Sequence, residues 1–197
     1  NAGYLSCILT AEDILAYLEK DTDKPAAIYL TNPDYLGNMV DVAAIADVCH
    51  KNGVLLVVDN AHGAYLRFLS PSRHPMDLGA DLCCDSAHKT LHVLTGGAYL
   101  HVGTHLPMSL KSQVKQALAL FGSTSPSYLI LQSLDKANAL CAEGFAEALA
   151  EAAKEIDGLK ASLSARGFVL TGDEPLKLTL CPKSYGYTGE EVAEFLQ

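Results

Sequence analysis

Apolar residues fall along this chain in two patterns, helical spacing and short continuous runs. Helical spacing predicts helices over 10–20, after Asp41, over 108–121 and over 127–156. Continuous apolar runs bounded by turn residues predict strands at 26–31, 54–59, 80–86 and 98–102. Because residues 54–59 (VLLVVD) are apolar up to the last position, they favour a strand covered on both faces. The alternation of helices and strands predicts an α/β fold with a mostly parallel sheet.

Three glycines divide the second half of the chain. Gly144 lies inside the long helical stretch and predicts a kink there, while Gly158 and Gly167 predict interruptions further on. Beyond them, apolar runs at 168–172 and 176–182 predict two short strands of a small terminal element.

The composition and net charge of the chain exclude some classes of binding partner. The chain has 197 residues, 49% hydrophobic and 19% charged, which is enough for a substantial core. Its net charge of −9 argues against nucleic acid or an anionic membrane as a partner, because phosphate binding needs clustered Lys and Arg. Six cysteines without a CxxC pair indicate free thiols in a reducing compartment. We see no signal peptide and no apolar run long enough to span a bilayer, so the predicted location is cytoplasmic.

Two polar residues follow strands at positions where open α/β sheets bind ligands. Asp59 ends the run VLLVVD, and Lys89 follows the strand predicted at 80–86. A lysine can form an imine with an aldehyde, and a carboxylate can hold a protonated ring nitrogen. Pyridoxal 5'-phosphate needs both groups. The competing interpretation is that Asp59 is a turn residue and Lys89 a solvated cation.

The neighbours of this pair favour the cofactor interpretation. Ser86 carries a hydroxyl able to bond a phosphate oxygen, and His88 could contact phosphate or shuttle a proton. Ala61 is small enough for a ring to pack on it, and His62 could contact ring or substrate oxygens.

Three segments of the chain carry a family resemblance. VVDNAHGAYL, DSAHKTLHVLTGGAYLH and STSPSYLILQSLDKA are similar to the major domain of the Orn/Lys/Arg decarboxylases, and the resemblance extends over nearly the whole chain. It implies a fold-type I enzyme, a three-layer αβα domain truncated here. Residues 1–165 would be part of the pyridoxal-phosphate-binding large domain, and 166–197 the start of a C-terminal α+β segment.

The resemblance also implies roles for individual residues. Lys89 would form the imine with pyridoxal 5'-phosphate, Asp59 would pair with its ring nitrogen, and Ala61 would pack on the ring. Ser86 and His88 would lie near the phosphate. The activity implied is decarboxylation of lysine, ornithine or arginine.

Such enzymes form homodimers, or higher homo-oligomers, whose active site is shared between subunits. Thr124 or its neighbours would then reach the phosphate bound in the partner. The alternatives left open are another reaction of the same scaffold, of the aminotransferase or carbon–sulfur lyase type, and an inactive dimerisation module.

The chain also departs from the family pattern. Asn60 stands where the family often has an acid, and His92 where it often has Pro. Nothing before Asp59 matches the family's glycine-rich phosphate loop or the aromatic residue that stacks on the ring. The chain starts without Met and stops inside a helical pattern. We therefore expect a piece of a longer protein, inactive by itself.

Two further candidates receive plainer interpretations. His101 and His105 are spaced by four residues, but no third ligand is evident and Pro107 disfavours a helix there, so we predict no metal site. Tyr35 and Tyr65 are placed in loops near the site, where they could contact substrate, but the preferred interpretation is that they are surface tyrosines.

Overall fold

The fold was obtained as a computed structural model, which describes residues 9–20 and 23–197. The helices are α1 (Ala11–Lys20), α2 (Val42–Lys51), α3 (Ala87–Thr90), α4 (Met108–Phe121), α5 (Tyr128–Ala142), α6 (Phe145–Ala165) and α7 (Gly189–Phe195). The strands are β1 (Ala27–Thr31), β2 (Leu55–Asp59), β3 (Leu82–Asp85), β4 (Tyr99–Val102), β5 (Leu170–Thr171) and β6 (Thr179–Leu180). Short 3₁₀ helices occupy Ala64–Phe68 and Pro182–Tyr185.

The first four strands form one sheet in the order β1-β2-β3-β4. β1, β2 and β3 run parallel, and β4 returns antiparallel to β3. The register places Thr31 opposite Asp59 and Asp59 opposite Cys84. The prediction of an α/β fold with a mostly parallel sheet is confirmed, and the carboxyl ends of β2 and β3 meet at one edge.

One face of the sheet packs on α1 and α2 and forms the main core. Its fully or nearly fully buried side chains are Ile14, Leu18, Leu30, Ile45, Cys49, Leu56, Val58 and Cys83. The α2 helix begins where predicted, since the Asp41 carboxylate accepts a hydrogen bond from Ala44 N at 3.0 Å. Complete burial of a side chain such as Leu56 contributes about 2 kcal/mol.

The opposite face of the sheet, here called the open face, carries Tyr29, Val57, Asp59, Cys84 and Leu100. The strand register puts these residues on one side, and each is half-buried or exposed, Tyr29 to 66%. The prediction that β2 is covered on both faces is therefore wrong for this chain. The apolar run reflects one face buried against α1 and α2 and a second face that the described residues leave accessible.

Glycines act differently in the two long helices. Gly144 adopts a left-handed conformation (φ +74°) and separates α5 from α6 completely, where the sequence predicts only a kink. Gly158 lies inside α6, so the predicted interruption there is wrong. A single glycine destabilises a helix by only about 1 kcal/mol relative to alanine. The high helix propensity of the surrounding alanines and charged residues offsets this cost.

The two short strands predicted after Gly167 are present in the terminal element. β5 and β6 pair antiparallel, and α7 begins with a capping box between Thr188 and Glu191. The five cysteines among the described residues are free, as predicted, while Cys7 lies outside them. Within 9–20 and 23–197, every helix is too short or too polar to cross a membrane.

Candidate cofactor site

The structure brings Lys89 and Asp59 to the same edge of the sheet. Asp59 is the last residue of β2, and Lys89 lies in α3, which begins directly after β3. Because β2 and β3 are parallel neighbours, both side chains leave the sheet at its carboxyl edge, where α/β proteins bind ligands. The sheet topology therefore places these two residues at the same edge, as the sequence predicts.

Lys89 contacts one of the other predicted residues directly. Its Nζ lies 3.3 Å from Nε2 of His62, which is in the loop after β2. Burial, and then the positive charge of Lys89, lower the pKa of His62 below its ordinary value. A neutral imidazole accepts a hydrogen bond at Nε2, so Lys89 donates to His62 and its amine is held over the β2 loop.

Two hydrogen bonds fix the Asp59 carboxylate. Oδ1 accepts from Ala61 N at 3.0 Å, and Oδ2 accepts from the Tyr29 hydroxyl at 3.1 Å. Burial and the hydrogen bond to Asp59 raise the pKa of Tyr29, so the hydroxyl keeps its proton. The carboxylate is therefore oriented on the open face, with Ala61 beside it.

Backbone and ring contacts to Gly97 hold the segment that carries Lys89. The Gly97 carbonyl accepts from His88 N at 3.2 Å and from His88 Nδ1 at 3.0 Å. Ser86 occupies the N-cap position of α3, where its carbonyl accepts from Lys89 N at 3.0 Å and its hydroxyl makes no capping bond. The Ser86 hydroxyl, three residues before Lys89, and Nε2 of the adjacent His88 thus remain as donor and acceptor groups near the lysine.

A cavity of about 530 Å³ opens beside Lys89. Its lining residues are His62, Tyr65, Lys89, Thr90, Glu174, Leu176, Lys177 and Leu178. Tyr65 is buried and donates a hydrogen bond to the buried carboxylate of Glu174, so its interpretation as a surface tyrosine is wrong. Tyr35 is exposed as predicted, and its ring meets the His62 ring edge-on at 5.7 Å between centroids. The C-terminal segment therefore forms part of the wall facing Lys89.

Thr124 stays apart from this group. It is exposed in the segment between α4 and α5, and the described contacts do not join it to Lys89 or Asp59. Its role toward a partner subunit remains a prediction.

Sequence reasoning missed a buried polar cluster just behind the site. The Asp85 carboxylate ends β3 and accepts from Asn60 Nδ2 at 2.7 Å, from His101 Nε2 at 2.8 Å and from His74 Nε2 at 3.0 Å. Burial opposes ionisation, but hydrogen bonds from His101 and His74 outweigh it and hold the pKa of Asp85 well below its usual range.

The same cluster explains one departure from the family pattern. An acid at position 60 would place its carboxylate against that of Asp85, whereas the Asn60 amide donates to it. The pairing of β2 with β3 could have indicated this contact. Because Asp59 lies opposite Cys84, the next residues along the two strands, Asn60 and Asp85, also lie opposite one another.

The donor set at the carboxyl edge fits pyridoxal 5'-phosphate. A lysine amine and a fixed carboxylate on the neighbouring strand are the two groups that this cofactor requires. The Ser86 hydroxyl and the His88 imidazole lie close to the lysine in the same segment. Ala61 lies next to the carboxylate and presents only a methyl group.

Solved structures define the class of fold. Alanine–glyoxylate aminotransferase from Nostoc sp. superposes with a TM-score of 0.70 at 21% identity, covering 96% of this chain and 54% of that one. Ureidoglycine–glyoxylate aminotransferase from Bacillus subtilis gives a TM-score of 0.71 at 19% identity, covering 95% of this chain and 52% of that one. The chain has the large-domain fold of fold-type I pyridoxal-phosphate enzymes.

Within that class, the chain belongs to the Orn/Lys/Arg decarboxylase family. The family's major domain matches residues 7–171. The uncharacterized protein YaaO of Bacillus subtilis (strain 168) is 34% identical over 85% of this chain and 37% of its own length. An arginine decarboxylase of Halalkalibacterium halodurans is 31% identical over 96% of this chain and 40% of its own length. The chain thus spans less than half of the length of these relatives.

Proposed function

We propose that the protein containing this chain is a pyridoxal-phosphate-dependent decarboxylase of a basic amino acid: lysine, ornithine or arginine. The observation that carries the proposal is the placement of Lys89 and Asp59 at adjacent strand ends, in a chain of this family. Arginine decarboxylases among the relatives, at 31% and 30% identity, support a basic substrate.

The bound cofactor would supply a ring that accepts the electrons left when the carboxylate departs as carbon dioxide. Lys89 would hold the cofactor covalently and release it to the substrate amine. Asp59 would keep the ring nitrogen protonated, since its carboxylate is already oriented by Ala61 N and Tyr29. His62 would accept a hydrogen bond from the Lys89 amine, and so helps to keep the amine oriented.

Ser86 and His88 would bind the phosphate. The Ser86 hydroxyl makes no capping bond, and His88 is held through Nδ1, so that its Nε2 is available to accept or relay a proton. Thr124 of one subunit would reach the phosphate bound in the other.

The test uses the full-length protein. Carbon dioxide release is assayed with lysine, ornithine and arginine, together with the absorbance band of the lysine-bound cofactor. We expect release from one of the three, and loss of both the band and the activity in Lys89→Ala. Lys183→Ala removes an exposed lysine of the C-terminal segment and serves as the control. A band without carbon dioxide release, but with amino transfer to an oxo acid, would replace decarboxylation with the aminotransferase alternative.

We also propose that the full-length protein is a homodimer or higher homo-oligomer. Large apolar side chains at the end of α4 and the start of α5 support this, with Leu120 exposed to 76%, Phe121 to 92% and Tyr128 to 85%. Light scattering of Phe121→Asp should show a shift toward monomer. Lys183→Ala, at an exposed polar position of the C-terminal segment, should leave the mass unchanged. A wild-type monomer would contradict the proposal.

A further inference from the structure

A second cluster of polar side chains lies at the opposite end of β3 from Lys89. Asp81 directly precedes β3, His50 is in the last turn of α2, and His105 follows β4. His50 Nε2 lies 3.0 Å from Asp81 Oδ2, and His105 Nε2 lies 3.0 Å from Asp81 Oδ1. The three donor atoms lie within 4.8 Å of one another.

We propose that His50, Asp81 and His105 form a binding site for a divalent transition-metal ion, with Zn²⁺ as the best-suited ion. Two imidazole nitrogens and one carboxylate oxygen are a donor set that Zn²⁺ binds readily. Ligand bonds of about 2.0–2.1 Å in a tetrahedron place neighbouring donor atoms about 3.3 Å apart. The 3.0 Å separations run to different oxygens of Asp81, and the three ligand atoms lie within 4.8 Å of one another, so the two exposed rings would shift toward one carboxylate oxygen to take up this geometry.

Asp81 is held as a metal ligand requires. Its side chain is buried, with 1% exposed, and Oδ2 accepts from Leu56 N at 2.7 Å. Its backbone is fixed as well, because Asp81 N donates to Leu56 O at 2.9 Å and Asp81 O accepts from Gly103 N at 2.8 Å. Such outer hydrogen bonds orient a ligating carboxylate before the ion arrives.

The two imidazoles supply the open side of the site. The side chains of His50 and His105 are 38% and 47% exposed, and their rings meet edge-on at 5.1 Å between centroids. An ion held there keeps access to water, which would complete the tetrahedron. Nε2 of each ring donates a hydrogen bond to Asp81, so ion binding replaces these two bonds: the proton of each ring moves to Nδ1, and the freed Nε2 lone pair faces the ion.

A comparison within the described residues favours this cluster. His74, Cys83 and Asp85 also come within 4.8 Å of one another, but all three are buried. An ion at Asp85 would compete with bonds from Asn60 and His101, which are not ligands of that group, whereas at Asp81 the side-chain bonds replaced are those of the two ligating histidines themselves. This also revises the prediction that excluded a metal at His101 and His105. These two histidines bond to different carboxylates, and the partners of His105 are Asp81 and His50.

The experiment titrates Zn²⁺ calorimetrically into chelator-stripped full-length protein. We expect one equivalent to bind, and to bind at least about tenfold more weakly in His50→Ala and in His105→Ala. His92→Ala removes an exposed histidine outside the cluster and should bind like wild type. Anomalous scattering from Zn²⁺-soaked crystals should show a peak between the three side chains.

Several results would overturn the proposal. Affinity unchanged in both histidine variants would do so, as would binding weaker than about 1 mM in the wild type. Loss of the tight equivalent in Cys84→Ser would assign the ion to that exposed thiol instead. Both histidines are exposed, so their replacement does not depend on the tolerance of a buried position.

Discussion

At the scale of single residues, the protonation of His62 reports on Lys89. Burial, and next the Lys89 charge, lower the pKa of His62. We predict that Lys89→Met raises the pKa of His62 toward its ordinary value of about 6.5 without reaching it, because burial remains. The measurement is an NMR titration of the His62 ring proton in cofactor-free protein.

The same shift has a consequence for stability. A lowered pKa means that His62 contributes stability fully above about pH 6.5, and that this contribution is lost as the pH falls through the lowered pKa. Lys89→Met should therefore lose less stability than wild type on acidification from neutral pH. Lys183→Met, an exposed lysine that does not affect His62, should titrate like wild type. If the pKa of His62 were the same in Lys89→Met as in wild type, the contact between Lys89 and His62 would be contradicted.

Asn60 provides a second test at this scale. We predict that Asn60→Asp lowers the free energy of unfolding at pH 7 by about 3 kcal/mol, since a donor to Asp85 becomes a buried like charge. The new carboxyl group should have a raised pKa, so the deficit narrows as the pH falls toward about 3.9. Urea unfolding at several pH values measures this.

The matched control is Asn138→Asp. The Asn138 Oδ1 is exposed and accepts from the Tyr99 hydroxyl, which a carboxylate does equally well. We expect a change within about 0.5 kcal/mol. Equal effects of the two substitutions would show that Asn60 does not act through Asp85.

At the scale of elements, two glycines should respond to alanine with opposite signs. A Cβ on Gly97 would lie 2.3 Å from Val93 Cγ1 and 3.3 Å from Leu94 O, and the Gly97 carbonyl anchors His88. We predict that Gly97→Ala costs about 1–3 kcal/mol and weakens cofactor binding by moving α3. Gly158→Ala in α6 meets nothing within 4 Å and should stabilise by up to about 1 kcal/mol. Thermal unfolding and cofactor titration distinguish the two.

The elements themselves were largely predictable from periodicity. Helices over 11–20 and 108–121 and the four strands of the sheet lie within a residue or two of their predicted positions, since local apolar patterns determine them. The break at Gly144 and the continuity at Gly158 were not predictable. Both glycines lie in sequence with helical spacing. Only the direction that the chain takes after α5 requires the left-handed conformation at Gly144.

The candidate site divides in the same way. Asp59 and Lys89 could be found because Asp59 ends β2 and Lys89 lies in the short helix after β3, and the carboxyl ends of parallel neighbours share an edge. The contacts of Asp85 with His74 and His101 depend on strand register and on the path of a loop, which no local pattern contains. Asp81 with His50 and His105 is a tertiary arrangement of the same kind.

At the scale of the whole molecule, the open face leaves one side of the candidate site uncovered by the described residues. Asp59 lies on that face beside exposed Tyr29 and Cys84, so the described residues enclose a ring bound there from one side only. Ligand sites normally bury most of their ligand, and the relatives are more than twice as long as the matched region. We propose that segments corresponding to the rest of these relatives complete the enclosure.

We therefore predict that isolated residues 1–197 bind pyridoxal 5'-phosphate at least roughly 100-fold more weakly than the full-length protein and release no carbon dioxide. The isolated chain should also enhance the fluorescence of an apolar dye, because the open face is accessible. Absorbance titration of both proteins measures cofactor affinity, with Lys89→Ala in each as the baseline for binding that does not involve this lysine. The dye assay on the full-length protein shows whether the face is covered there. An isolated chain that matches the full-length protein in affinity and turnover would show that the described residues already contain the complete site.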